Sequence, residues 1–166
     1  MSPFEIRPAS PADSQEIEDV RITTWKTAYR GVMTDSFLEE LSVSPAMVDR
    51  RSSLLSDGST RGFVAVRDGR VRGFTLYGKA RDDGHDGMEV YAIYVLPEEF
   101  STGMGRALMA ASLEDLHGQE VGLWVLAGNP RARRFYERCG FTASGLVKTE
   151  SDPPLEQVHY RRAAST

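Results

Sequence analysis

The chain has 166 residues, 40% apolar and 27% charged, which suits one compact domain and leaves no room for a second of full size. Its 20 Lys and Arg stand against 24 Asp and Glu, so a net charge of −4 supplies no general field to attract nucleic acid. One cysteine excludes an internal disulfide, and with three scattered histidines it leaves no metal-ligand spacing, so no metal is expected. The opening residues carry no basic-then-apolar leader, and apolar stretches reach only about seven residues, against the ~20 that span a bilayer. The expectation is a soluble cytoplasmic protein without membrane contact.

In chain order, Phe4 to Arg7 alternates like a short strand. Ser10-Pro11-Ala12-Asp13 reads as a helix start, with a serine cap, proline at the first helical position and an acid at the third. The helix should run to about Tyr29 or Arg30, with Ile17, Val20, Thr24 and Ala28 on one face and Ile22, Trp25 and Tyr29 on another. Two shorter helices are expected over about 34–41 and 45–55. A hairpin follows, Gly62 to Val66 turning at Asp68-Gly69 into Val71 to Tyr77.

After the polar loop Asp82-Asp83-Gly84 comes a strand over about 88–96, closed by Pro97. The spacing predicts a helix over about 102–117, with Met104, Ala107, Leu108 and Ala111 on one face. A strand over about 121–127 leads to Asn129-Pro130, which opens a helix carrying Ala132, Phe135, Tyr136 and Cys139 on its buried face. Strands over about 143–149 and 157–161 end the order β-α-α-α-β-β-β-α-β-α-β-β. That order defines an α/β (α+β) mixed sheet, antiparallel in its N-terminal half with a central βαβ crossover.

The turn between the third central strand and its helix is rich in chemistry. Gly103 and Gly105 remove side chains where the backbone turns, so consecutive N–H groups at a helix N-terminus can converge on a phosphate, with Arg106 adding a cation. Steric relief at a tight turn is the competing reason for the glycines. The loop is neither a Gly-x-x-x-x-Gly-Lys-Ser/Thr phosphate loop nor a dinucleotide fingerprint, whose third glycine is replaced by Leu108.

The segments from Glu89 to Val95, from Gly103 to Leu108, from Leu123 to Asn129, and from Ala132 through Phe135-Tyr136 to Gly140-Phe141 together resemble the GNAT superfamily of N-acetyltransferases. Trp25, Tyr29 and Gly31 on the early helix resemble many bacterial members. The resemblance implies one N-acetyltransferase domain over residues 3–163 with the GNAT acyl-CoA N-acyltransferase fold. It implies acetyl-CoA as cofactor, held where the strands at about 88–96 and 121–127 splay apart. The pantetheine arm would pair with the backbone of Ile93, Tyr94 and Val95, and the pyrophosphate would sit on the amides of Ser101, Thr102, Gly103, Met104, Gly105 and Arg106. The loop departs from the family at Phe100, Ser101 and Thr102, where Gln or Arg, Gly and a basic residue are usual, which bears on cofactor affinity rather than on the fold.

For the chemistry, an alkylammonium of pKa ~10.4 must lose a proton before it attacks, and a nearby carboxylate can take it. Glu89 matches the general-base glutamate of histone-acetylating relatives; an exposed strand-end acid is the alternative. The ribosomal-protein alanine acetylases keep a glutamate where this chain has Trp124. Tyr136 holds the family position of the general acid that protonates the departing thiolate, with plain core packing as the alternative. Asn129 is both a helix cap and the family's pantetheine contact. Trp25 and Tyr29, with Phe74 and Tyr77 opposite, are candidate walls of an acceptor pocket, or simply aromatic core. Cys139 reads as core filler. His85, His117 and His159 read as surface or loop residues, and the basic groups Arg50-Arg51 and Arg131, Arg133 and Arg134 as solvated faces.

The function so implied is transfer of an acetyl group from acetyl-CoA directly to a primary amine of a small molecule or peptide. A non-catalytic acyl-CoA sensor and a protein N-terminal or lysine acetyltransferase are the alternatives. An exposed C-terminal sheet edge would permit a homodimer.

Overall fold

The computed structural model describes residues 2–81, 87–150 and 154–164, with the side chain of residue 150 left aside. Asp82, Asp83, Gly84 and His85 lie outside the described residues. The observed elements are β1 (Glu5–Pro8), α1 (Ser14–Ala28), α2 (Asp35–Glu40), α3 (Pro45–Ser56), β2 (Arg61–Arg67), β3 (Arg70–Lys79), β4 (Met88–Val95), α4 (Met104–Asp115), β5 (Val121–Leu126), α5 (Pro130–Arg138), β6 (Thr142–Glu150) and β7 (Leu155–Arg162). They reproduce the expected order, in a seven-stranded mixed sheet ordered β1-β2-β3-β4-β5-β7-β6. The pairings β1–β2 and β2–β3 are antiparallel, whereas β4 and β5, joined through α4, are parallel.

Capping chemistry sets the boundaries. Pro11–Asp13 is a 3-10 turn that leads into α1 at Ser14, where a single helix from Pro11 was expected. Asp13 accepts from the Ser10 backbone N–H at 2.8 Å and takes a two-pronged grip from Arg7 at 2.9 and 2.8 Å. Ser44 and Asn129 cap α3 and α5 through their side chains. The β2–β3 turn places Asp68 at φ 53° and Gly69 at φ 75°, the left-handed pair that a two-residue hairpin requires.

The contacts divide the chain into two compact units, and strands β3 and β4 supply residues to both. In the first, Met1–Tyr77 with Ala92–Ser112, the sheet has apolar layers on both faces. Ile17 and Val20 of α1 pack with Val64, Val71, Phe74 and Leu76 on one face. Met104 and Leu108 of α4 pack with Ala65, Ile93 and Val95 on the other. Gly73 on β3 permits the close approach of neighbouring β4: a Cβ there would lie 2.8 Å from Val95 Cγ1 and 3.0 Å from the Tyr94 carbonyl.

In the second unit, Gly78–Tyr91 with Leu113–Thr166, β5, β7 and β6 form an antiparallel run. Val121, Leu123, Phe141 and Tyr160 are buried in it. Arg133 of α5 donates to the Tyr160 hydroxyl at 3.1 Å and to the Ala127 carbonyl at 3.1 Å, so it anchors the helix rather than forming a solvated face. Arg51 is likewise engaged, with Glu18 at 3.2 Å. Among the described residues no helix is long and apolar enough to cross a membrane.

Candidate active site

In the first unit the glycine turn is built from its N-terminal side. Pro97–Glu99 forms a 3-10 turn whose Glu99 is buried. The Glu99 carboxylate accepts from Arg67 Nε at 2.9 Å, while its carbonyl accepts from both the N–H and the hydroxyl of Thr102 at 3.3 and 2.7 Å. Both groups tie Thr102 back to the Pro97–Glu99 turn. Ser101 then takes φ 66° and Gly103 φ 88°, both left-handed, so a serine stands where the backbone favours glycine. Helix α4 starts at Met104. The N–H groups of Met104, Gly105 and Arg106 belong to its first turn, where no earlier carbonyl of the helix can accept them. With the helix dipole behind them, they fit a phosphate group. The Met104 side chain points into the core, so only its backbone can serve a ligand.

Strand β4 offers alternating faces in the same unit. Ile93 and Val95 join the layer of Met104 and Leu108, and Tyr94 joins that of Phe74. Tyr94 accepts a hydrogen bond from the Trp25 indole, and burial raises its phenol above the ordinary tyrosine range despite that donor. Trp25 stacks on Tyr29 at 4.2 Å between ring centroids, and burial, reinforced by Tyr94, raises the Tyr29 phenol as well.

Trp25, Tyr29, Tyr94 and Phe74 thus gather on one face of the sheet, Phe74 edge-on to Tyr94 at 5.7 Å. Tyr77 does not join them. It is three residues from Phe74 on a regular strand, so it projects to the opposite face and stacks on Phe63 at 6.4 Å. Phe74 and Tyr77 are both fully buried. The expected aromatic wall from these two is therefore corrected to core packing.

In the second unit the parallel ladder joins Met88 to Val121 and Glu89 to Gly122, and its register runs no further along β4. Glu89 is only 4% exposed, which excludes a solvated strand-end acid. Its Oε1 accepts from the Arg81 backbone N–H at 3.0 Å and its Oε2 from Arg81 Nη2 at 2.8 Å. The same guanidinium covers the Tyr91 ring at 4.2 Å, so Glu89 and Tyr91 share a face. A cleft of about 640 Å³ opens here, lined by Glu89, Glu120, Gly122, Trp124, Ser144 and His159 among others.

His159 is buried on β7 rather than placed in a loop or at the surface. Its Nδ1 pairs with the Ser144 hydroxyl at 2.7 Å. Its Nε2 occupies the space beside Gly122, where a Cβ would come within 2.6 Å. Asn129 caps α5 by accepting from the Ala132 N–H at 3.1 Å. Tyr136 is half-buried, edge-on to Phe135 and to Phe141 at 5.5 and 6.1 Å. None of Ala132, Phe135, Tyr136 and Cys139 is fully buried, so the apolar face of α5 is only partly covered. Among the described residues no group of three or more His, Cys, Asp or Glu side chains is placed to hold a metal ion.

Two solved structures share this fold. Ard1 from Thermoplasma volcanium matches with a TM-score of 0.72 and 22% identity, over 98% of this chain and 99% of that one. PaiA N-acetyltransferase from Thermoplasma acidophilum in complex with coenzyme A matches with a TM-score of 0.67 and 18% identity, over 97% and 99%. The model of the acetyltransferase (GNAT) family matches residues 23–141. The uncharacterized N-acetyltransferase YuaI of Bacillus subtilis (strain 168) is 34% identical over 132 residues, 75% of this chain and 73% of that protein. The chain belongs to the acetyltransferase (GNAT) family, and its activity is that of an N-acetyltransferase.

Proposed function

We propose that this chain, as one N-acetyltransferase domain over residues 3–163, moves the acetyl group of acetyl-CoA directly to a primary amine of a small molecule or peptide in the cytoplasm. The observation that carries the reading is the bend from Phe100 to Arg106. Two left-handed residues and a buried Glu99 anchor present the first-turn amides of α4, the donor set that a diphosphate needs. Ser101, Thr102, Gly103, Met104, Gly105 and Arg106 hold the pyrophosphate, and Ile93, Tyr94 and Val95 offer backbone groups to the pantetheine arm. The end of the β4–β5 ladder at Glu89 supports this use of the strand. Asn129 contacts the arm while capping α5.

When bound, acetyl-CoA supplies an acetyl group activated as a thioester. Glu89 receives the proton of the acceptor ammonium, directly or through water. Its carboxylate already accepts two hydrogen bonds from Arg81, and lone pairs remain on both oxygens. Tyr136 donates its phenolic proton to the departing thiolate, a transfer from a group of pKa ~10 to one of ~8.5 or higher through a short hydrogen bond. Trp25 and Tyr29 flank the acceptor.

Release of free thiol from acetyl-CoA, followed with a panel of amines and with mass analysis of the product, tests this function. Amine-dependent thiol release with an N-acetylated product is expected. Cofactor binding without turnover for any amine would instead mark a sensor domain.

A further inference from the structure

Glu89 is buried yet lines a cleft: its side chain is 5% exposed, and Trp124, Ser144 and His159 stand around the same opening. The carboxylate is gripped by a residue outside that opening. Oε1 accepts from the Arg81 backbone N–H at 3.0 Å and Oε2 from Arg81 Nη2 at 2.8 Å. One residue thus binds both oxygens, through main chain and side chain, which stops the carboxylate from turning. Neither Arg81 nor Tyr91 lines the cleft, so both influence a bound acceptor only through Glu89.

The gripping guanidinium is itself braced. The Arg81 side chain is 62% exposed, and an arginine so open ordinarily keeps its rotamer freedom and gains little from an ion pair. Here the face of Tyr91 backs it, with the guanidinium carbon 4.2 Å from the ring centroid. The Tyr91 hydroxyl donates to the carbonyl of Lys79, two residues before Arg81. The Ala80 N–H donates to the Gly87 carbonyl at 3.0 Å. These two ties hold the segment leading into Arg81 to β4 and to the residue just before it.

A base works only within hydrogen-bond reach of the proton it takes, and a misplacement of about 1 Å can cost about a hundredfold in rate. Each Glu89 oxygen gives one lone pair to Arg81 and keeps the other. A freely turning carboxylate would spread those remaining lone pairs over many directions, whereas the gripped one presents them in a fixed direction. We propose that Arg81 is the positioning residue of Glu89, with Tyr91 as its platform, and that together they aim the carboxylate at the acceptor nitrogen. This rests on the acetyl-transfer reading, in which Glu89 takes the acceptor's proton, and adds the two residues that orient the base.

The test is a mutant cycle on kcat in the full chain. Thiol release from acetyl-CoA is followed with n-hexylamine, tryptamine and spermidine, and the cycle uses the amine of largest kcat/KM. Glu89→Gln should lower kcat by roughly a hundredfold or more. Arg81→Met keeps the stem and removes the guanidinium. It should lower kcat by roughly tenfold to a hundredfold, with the KM for acetyl-CoA within about twofold of wild type. Tyr91→Leu removes the platform, so its loss should be about twofold to fivefold. Arg81→Lys returns a charge without the planar fork and should fall between Arg81→Met and wild type. The decisive variant is the double one: in the Glu89→Gln background, Arg81→Met should change kcat by no more than about twofold, because no base is left to aim. An equal loss from Arg81→Met in both backgrounds, or full activity of Arg81→Met beside a large loss in Glu89→Gln, would overturn the positioning role and leave the base in place. Full activity of Glu89→Gln would remove the base, and no turnover with any of these amines would remove the reaction, each taking the proposal with it.

Discussion

The Arg67 guanidinium on β2 meets the Glu99 carboxylate at 2.9 Å with both side chains buried, at 9% and 2% exposure. Glu99 also holds Thr102 through its carbonyl, so one buried ion pair fixes the approach to the cofactor bend. Glu99→Gln keeps the shape and strands the Arg67 charge. It should cost about 3–5 kcal/mol in urea unfolding and raise the KM for acetyl-CoA more than that for the amine. An unchanged acetyl-CoA KM would separate the ion pair from the bend.

Gly73 lies beside β4 with no space for a methyl group. Gly73→Ala would press on Val95 and on the Tyr94 carbonyl, and overpacking of this kind costs about 1–3 kcal/mol. Because the displaced residues are those offered to the pantetheine arm, acetyl-CoA affinity should fall along with stability. Calorimetry at a temperature where the variant remains folded checks this. Stability loss with unaltered affinity would remove β4 from the cofactor site.

Asp13 is drawn below the usual carboxylate range: burial opposes ionisation, and the hydrogen bonds from Arg7 and Ser10 outweigh it. A carboxyl group with a depressed pKa in the folded state stabilises the fold above its unfolded pKa of ~3.9, and that contribution is lost as pH falls through the folded value. Asp13→Asn should therefore be less stable than wild type at neutral pH. The deficit is about 1 kcal/mol, held down by solvent around the Arg7 side chain, which is 40% exposed. The two stability curves should converge in acid. A deficit that persists below pH ~2 would assign the effect to shape instead of charge.

Tyr136→Phe retains the ring that packs against Phe141 and removes only the hydroxyl. Turnover should fall by roughly a hundredfold to ten-thousandfold, with the melting temperature close to wild type. Full activity would reassign Tyr136 to packing. Glu89→Gln should lower kcat and move the basic requirement to higher pH, with acetyl-CoA binding nearly intact. An unaltered pH–rate profile would take Glu89 out of the mechanism.

Local chemistry made the order of elements legible. Caps at Ser10, Ser44 and Asn129, the Asp68-Gly69 turn and the helical spacing around Ile17 and Leu108 each act within a few residues of chain. What escaped depends on pairings across long separations. Burial of His159 follows from the β5–β7 register that brings it beside Gly122, a relation between strands far apart in sequence. The Arg81 grip on Glu89 joins a residue just past β3 to one in β4, and no motif marks it. The position of Tyr77 was readable in principle, since an odd separation from Phe74 on one strand puts the two rings on opposite faces. Strain at Ser101 was half-visible, as a serine where the family resemblance implies glycine.

The most direct test of the central claim is titration of acetyl-CoA into the wild-type chain by calorimetry, repeated with desulfo- and dephospho-CoA and with free pantetheine. Saturable one-to-one binding that is lost with pantetheine, which lacks the diphosphate, is the expected result. Equal affinity for pantetheine, or no heat with acetyl-CoA in a well-folded sample, would contradict a diphosphate held between Ser101 and Arg106.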